Sequence, residues 1–233
     1  GQVPSVVRRA FQEARTSPTG PVFVGMSANA FDDIADVNIA PSTEMAANSS
    51  ADPAAIDEVV GLLSRAEKPI MIIGDRLAGA NVDAVRLAET AGIPVYGHGS
   101  AEVNFPASHP LWQGNLSVRA PQAIEAIRSA DLILAIGCTV FDDFFYQPGS
   151  VIGPGTSLVH IDSDPGSIGK SEPTDIGILA APPAVVSQLA DAVSEIFTGT
   201  RAEEAALRVR EAKAASTARK EAFARSAAAQ RNG

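Results

Sequence analysis

The stretch that decides the fold is residues 131–143, "DLILAIGCTVFDD". Leu132–Ile136 is an unbroken apolar run that stops at Gly137, and small, polar and acidic residues follow. A strand that is apolar on both faces belongs in a sheet covered on both sides, which means a parallel sheet between helices. Open sheets of that kind hold ligands beyond the carboxyl ends of their strands. Every buried parallel strand also has to end, so the run marks a place for a site without establishing one.

The same pattern repeats outward in both directions. "KPIMIIGD" (68–75), "IPVYG" (93–97), "TSLVHIDSD" (156–164) and "DIGILAA" (175–181) read as further strands. Between them lie helical segments. Asp52 caps a helix that has Pro53 at its first position and runs to about Ala66, buried through Ile56, Val59, Val60, Leu62 and Leu63. "NVDAVRLAETAG" (81–92) is a helix closed by Gly92; "APQAIEAIRSA" (120–130) and "PPAVVSQLADAVSEIF" (182–197) are two more. The alternation predicts an α/β fold: three layers, α/β/α, around a Rossmann-like parallel sheet of about six strands.

The ends read differently. "SVVRRAFQEARTSPTGPVFVGMS" (5–27) predicts a helix, a break at Ser17, Pro18 and Gly20, and a short strand over 21–26. Residues 27–51 carry no period and read as a linker. The Ala-, Arg- and Glu-rich tail from about Arg201 is strongly helical by propensity, but its apolar face is mostly alanine, so little burial is expected of it. The expected divisions are 1–26, 27–51, 52–198 and 199–233.

Composition narrows the functions. The net charge of −9 repels phosphate backbones and anionic lipid, so neither nucleic acid nor a membrane surface is expected as a partner. No apolar run approaches the roughly 20 residues of a spanning helix, and no leader is expected at the start. The single cysteine excludes an internal disulfide framework and agrees with a reducing cytoplasm. His98, His109 and His160 lack the spacing of metal ligands, so no metal site is expected.

Three strand ends gather the candidate binding residues: Gly74, Asp75 and Arg76; Gly137, Cys138 and Thr139; Asp162 and Asp164. Glycines there let backbone amides approach a phosphate, and an acid accepts from ribose hydroxyls. No G-x-G-x-x-G and no Walker motif is present, and Asp75 would oppose a phosphate. Tight turn geometry for the glycines, and capping before Pro165 for the two acids, are equally consistent. Cys138 reads as a small buried residue, and His160 as a core position. The long segment "GHGSAEVNFPASHPLWQGN" (97–115) follows a strand end and holds His98, His109 and Trp112. Ser108 and Pro110 give His109 a rigid setting that can aim its imidazole at a neighbouring site.

The phrases "KPIMIIGD", "LAETAGIPVYGHGSAEVNFPASHPLWQG", "ADLILAIGCTVFDDFF" and "LVHIDSDPGSIGK", in that order, resemble the central domain of thiamine-diphosphate-dependent enzymes, a family that includes acetolactate synthase and benzoylformate decarboxylase. The likeness runs over residues 52–197. The resemblance makes "TSPTGPVFVGMS" the last strand of an amino-terminal pyrimidine-binding domain, and the tail a linker toward a pyrophosphate-binding domain. It implies a longer parent that binds thiamine diphosphate and Mg2+ in those flanking domains. It also implies homo-oligomerisation of that parent, and a central domain inactive alone. Some relatives hold FAD on this sheet and others leave it empty; Asp75, Arg76 and the sequence Leu179, Ala180, Ala181 depart from the FAD-binding pattern. "FPASHP" is closer to benzoylformate decarboxylase, where a histidine matching His109 reaches the thiamine site as proton donor or acceptor. A synthase-like carboligase with FAD, a flavoprotein-type nucleotide module and a purely structural domain are the alternatives.

Overall fold

The computed structural model describes residues 2–32, 34, 36–43, 49–99, 104–116, 121–142 and 148–231. Asp143 of the opening stretch, Ala101–Val103 of the long segment and the final Asn232 and Gly233 lie outside these. The chain divides into two compact units, Gly1–Asn48 and Ser49–Gly233.

In the first unit α1 (Val3–Arg15) forms as expected, with no buried residue. Residues 21–26, expected as a strand, form none, and Phe23 is 94% exposed. A strand needs a neighbour to pair its amides and carbonyls, and this unit offers no other strand among the described residues.

The second unit is built on one six-stranded sheet in the order β3-β2-β1-β4-β5-β6. The strands are β1 (Pro69–Ile73), β2 (Val95–His98), β3 (Trp112–Leu116), β4 (Leu132–Ile136), β5 (Ser157–Asp162) and β6 (Ile176–Leu179). Every pairing is parallel. The chain starts β1 in the middle, builds outward through β2 and β3, then returns to β1's other side with β4. The order therefore reverses between β1 and β4.

Side chains alternate across this sheet. Met71, Ile73, Leu134, Ile136, Val159 and Ile161 face one core, closed by α2 (Pro53–Leu63), α3 (Asn81–Ala91), α5 (Pro182–Ile196) and the start of α6 (Thr200–Arg231). Ile70, Ile72, Ile133, Ala135 and Leu158 face the other, closed by Ala123 and Ile127 of α4 (Pro121–Ser129) and by Val140, Phe141, Val151 and Ile152. One outer layer is thus four helices, and the other is one helix with loop.

Three features depart from expectation. The segment read as a loop after β2 contains β3. Its register slips by one residue, pairing Val95 with Trp112 but Gly97 with Asn115, and Gly114 sits at φ +94°. That bulge breaks the alternation by which a strand is recognised. Ser49–Ala51, read as linker, is tied to the helical layer: Ala181 N–H donates to the Ser49 carbonyl and Ala51 N–H to Gln188 Oε1, both 2.9 Å. The third is α6, which does not lie free. Ala205 is 1% exposed against the end of α3, and Arg208 donates to the carbonyls of Ala91 (2.8 Å) and Gly92 (3.2 Å). Small side chains let the two helices approach closely, so alanine serves contact here where it had suggested none.

Candidate functional site

The reversal point between β1 and β4 draws in a third strand end, that of β5, and brings most of the sequence-predicted binding residues together. Asp162, the last residue of β5, is fully buried, and Arg76 reaches it from the turn after β1. The pair is bidentate: Nε to Oδ1 at 2.6 Å and Nη2 to Oδ2 at 2.7 Å. The same Nη2 donates to Ser167 Oγ at 3.0 Å. Ser167 in turn donates to Asp164 Oδ2 at 2.8 Å and shares a 2.9 Å hydrogen bond with Thr139. Asp164 N–H donates back to Asp162 Oδ1, closing the network. The contact with Asp162 raises the Arg76 pKa further; bonds from the Ser167 hydroxyl and Gly166 N–H hold Asp164 below the usual carboxylate range.

The two glycines are used up by backbone approach. A Cβ on Gly74 would lie 2.5 Å from Cys138 Cβ and 2.6 Å from the Gly137 carbonyl oxygen. Gly137 has φ +65°, and a Cβ there would meet the Leu77 nitrogen at 2.8 Å. Arg76 N–H already donates to the Gly137 carbonyl, and Asn104 Nδ2 to the Gly74 carbonyl. These glycines join two strand ends directly. Asp162, one of the acids placed to accept from a ribose, is instead held by arginine.

Asp75, between them, is exposed. Cys138 is 3% exposed, and burial pushes its thiol up to about 12, which leaves it inert as a nucleophile. His160 is 1% exposed. Its Nε2 lies 2.8 Å from the Cys138 carbonyl, which can only accept, so the hydrogen is on Nε2. Among the described residues its Nδ1 has no partner. Burial lowers its pKa, partly offset by the bond to Cys138, so folding disfavours its charged form. The unfolded chain protonates it below about pH 6.5, the ordinary imidazole value. Stability is then full above that pH and falls as pH drops toward the lower folded value. A His160→Gln variant keeps an Nε2–H donor but cannot titrate. Urea midpoints measured from pH 7 to pH 5 should fall less steeply for the variant than for the parent chain.

His109 sits apart from this cluster. It precedes β3, and Val95 N–H at the start of β2 donates to the neighbouring Leu111 carbonyl. His109 therefore stands at the amino ends of the strands, opposite the reversal point. Its Nδ1 accepts from Leu111 N–H at 3.2 Å, and its Nε2 is 3.1 Å from Glu89 Oε1 on α3. Phe105 stands edge-on to the ring and stacks on Trp112, which is half-buried in β3. Lys220 of α6 donates to the Ser108 carbonyl at 3.4 Å.

Sequence reasoning missed Ser167, Asn104 and Glu89. The Asp164–Ser167 turn was legible: Gly166 N–H donates to Asp164 Oδ1, an aspartate turn signalled by "DPGS". The other two act across the fold and leave no local signal. Among the described residues, no three His, Cys, Asp or Glu side chains are grouped as metal ligands, and no helix is long and apolar enough to cross a membrane.

Residues 56–189 match the family described as "Thiamine pyrophosphate enzyme, central domain". The chain is 29% identical over 187 residues to a probable acetolactate synthase large subunit of Methanocaldococcus jannaschii, covering 76% of this chain and 32% of that protein. It is 30% identical over 177 residues to benzoylformate decarboxylase of Pseudomonas aeruginosa, covering 72% and 33%. A crystal structure of benzoylformate decarboxylase from Polynucleobacter necessarius superposes with a TM-score of 0.70 at 26% identity, over 82% of this chain and 36% of that one. The chain thus spans about a third of the length of these relatives.

Proposed function

Because this chain belongs to the thiamine pyrophosphate enzyme family as a central domain, we propose that it serves a 2-oxo acid decarboxylase of the benzoylformate decarboxylase kind. The observation that carries this reading over a flavin-holding synthase is the Arg76–Asp162 pair, which ties up the buried acid at the end of β5. Thiamine diphosphate, in such enzymes, stabilises the carbanion left when carbon dioxide departs. The described residues offer no metal-ligand group for its diphosphate, so flanking domains of the same polypeptide hold it with Mg2+ in this reading. The domain contributes rigid spacing and His109, aimed at the reacting centre as a proton donor or acceptor. The parent is a cytoplasmic homo-oligomer in the same proposal.

The test has two arms. The chain with benzoylformate, thiamine diphosphate and Mg2+ should release no carbon dioxide; turnover by the chain alone overturns the domain reading. Titration with FAD and with ADP should give no thermal shift and no bound yellow colour. A saturable shift with FAD would favour the second reading, an acetolactate-synthase-like central domain, which the likeness to the Methanocaldococcus protein supports.

A further inference from the structure

We propose that Glu89 is the positioning residue of His109, holding the ring so that Nε2–H is the atom presented to a reacting group. This rests on the reading of His109 as the domain's contribution to chemistry. Three contacts define the ring. The Leu111 N–H donates to Nδ1 at 3.2 Å, so Nδ1 is an acceptor and the neutral ring carries its hydrogen on Nε2. That N–H faces Glu89 Oε1 at 3.1 Å. Phe105 closes one side, 5.1 Å between centroids and 87° between planes, and opposes rotation of the ring.

Glu89 is badly placed for its own helix. It stands in the last turn of α3, where the carbonyl ends of the helix disfavour an anion, and that turn has no basic residue of its own. Arg208 from α6 caps the same end through the Ala91 and Gly92 carbonyls. A local rule broken with no local gain points to a reason elsewhere, and here the reason is the imidazole.

Exposure completes the argument. The His109 side chain is 15% exposed and that of Glu89 57%. The carboxylate therefore stands on the solvent side of Nε2–H, in the position an anionic oxygen of a 2-oxo acid would take. Nδ1 stays occupied by the backbone, so the neutral ring meets a reacting oxygen through Nε2–H, as a hydrogen-bond donor. Glu89 holds that direction until a reacting oxygen replaces it, and Leu111 and Phe105 keep the ring from turning meanwhile.

The test reads the ring by nitrogen-15 NMR on the labelled chain at about pH 8. The expected spectrum has an acceptor-type Nδ1 and an Nε2–H protected from solvent exchange. Glu89→Ala should speed that exchange about ten-fold, the scale of one lost hydrogen bond to a charged group. Glu89→Gln, whose amide oxygen accepts the same bond, should restore the protection. A hydrogen on Nδ1, unchanged exchange in Glu89→Ala, or a Gln variant that behaves like Ala overturns the proposal. These spectra do not depend on turnover. A His109→Ala variant of the whole enzyme with unchanged turnover would sink the functional reading and leave the ring's positioning as measured.

Discussion

Arg76→Ala is expected to destabilise the α/β unit by about 3 kcal/mol, because it strands a buried carboxylate without its partner. Asp162 is fully buried, whereas the Arg76 side chain is 30% exposed. The loss is therefore set by the aspartate, which cannot reach water, rather than by the arginine, which partly can. For a unit of this size that is a fall in Tm on the order of 10 °C. Removing both charges, as in Arg76→Met with Asp162→Leu, should cost far less than the single change, since no uncompensated charge remains. Thermal unfolding of the three proteins decides it. A single variant no less stable than the double one would mean that the pair is not what seals the reversal point.

Gly92→Ala is comparable in size, at about 2–5 kcal/mol from two sources that add. The residue sits at φ +64°, a left-handed conformation that costs a side chain roughly 1–2 kcal/mol. Its Cβ would also lie 2.5 Å from the Ala205 carbonyl oxygen and 2.8 Å from Ala205 Cα, backbone that has no rotamer to change. The clash is overpacking, worth about 1–3 kcal/mol, and its relief is displacement of α6 from α3. Gly79→Ala separates the two sources. Gly79 has φ +87° with open space around it, so it carries only the backbone strain. The expected order of Tm is parent chain, then Gly79→Ala, then Gly92→Ala. Only the last should make α6 more readily cut by protease. Equal losses in the two variants would show that α6 bears no weight on Gly92.

Both predictions rest on contacts between distant parts of the chain, which is also where sequence reading ended. Five of the six strands were legible; β1 and β4 are buried on both faces and so apolar throughout, as in "IMII" and "LILAI". The stop of α3 at Gly92 was legible because the left-handed closing turn favours glycine. Cys138 and His160 were legible as buried from their places at strand ends and in strands. β3 was not, since Gly114 introduces a bulge that scrambles its alternation. The strand expected over residues 21–26 failed for the opposite reason: its apolar pattern is sound, but a pattern does not supply a neighbour.

The sequence by itself determined the local elements, the parallel class of the sheet and the likeness to a family, because each depends on periodicity and order along the chain. Only the tertiary structure decided what the candidate residues do. Arg76 and Asp162 are 86 residues apart, and His109 and Glu89 are 20 apart. Each pair meets because crossovers return the chain to a common edge of the sheet: the carboxyl edge for the first, the amino edge for the second. Which charge finds which partner is set by strand order, and strand order leaves no mark on the residues that it brings together.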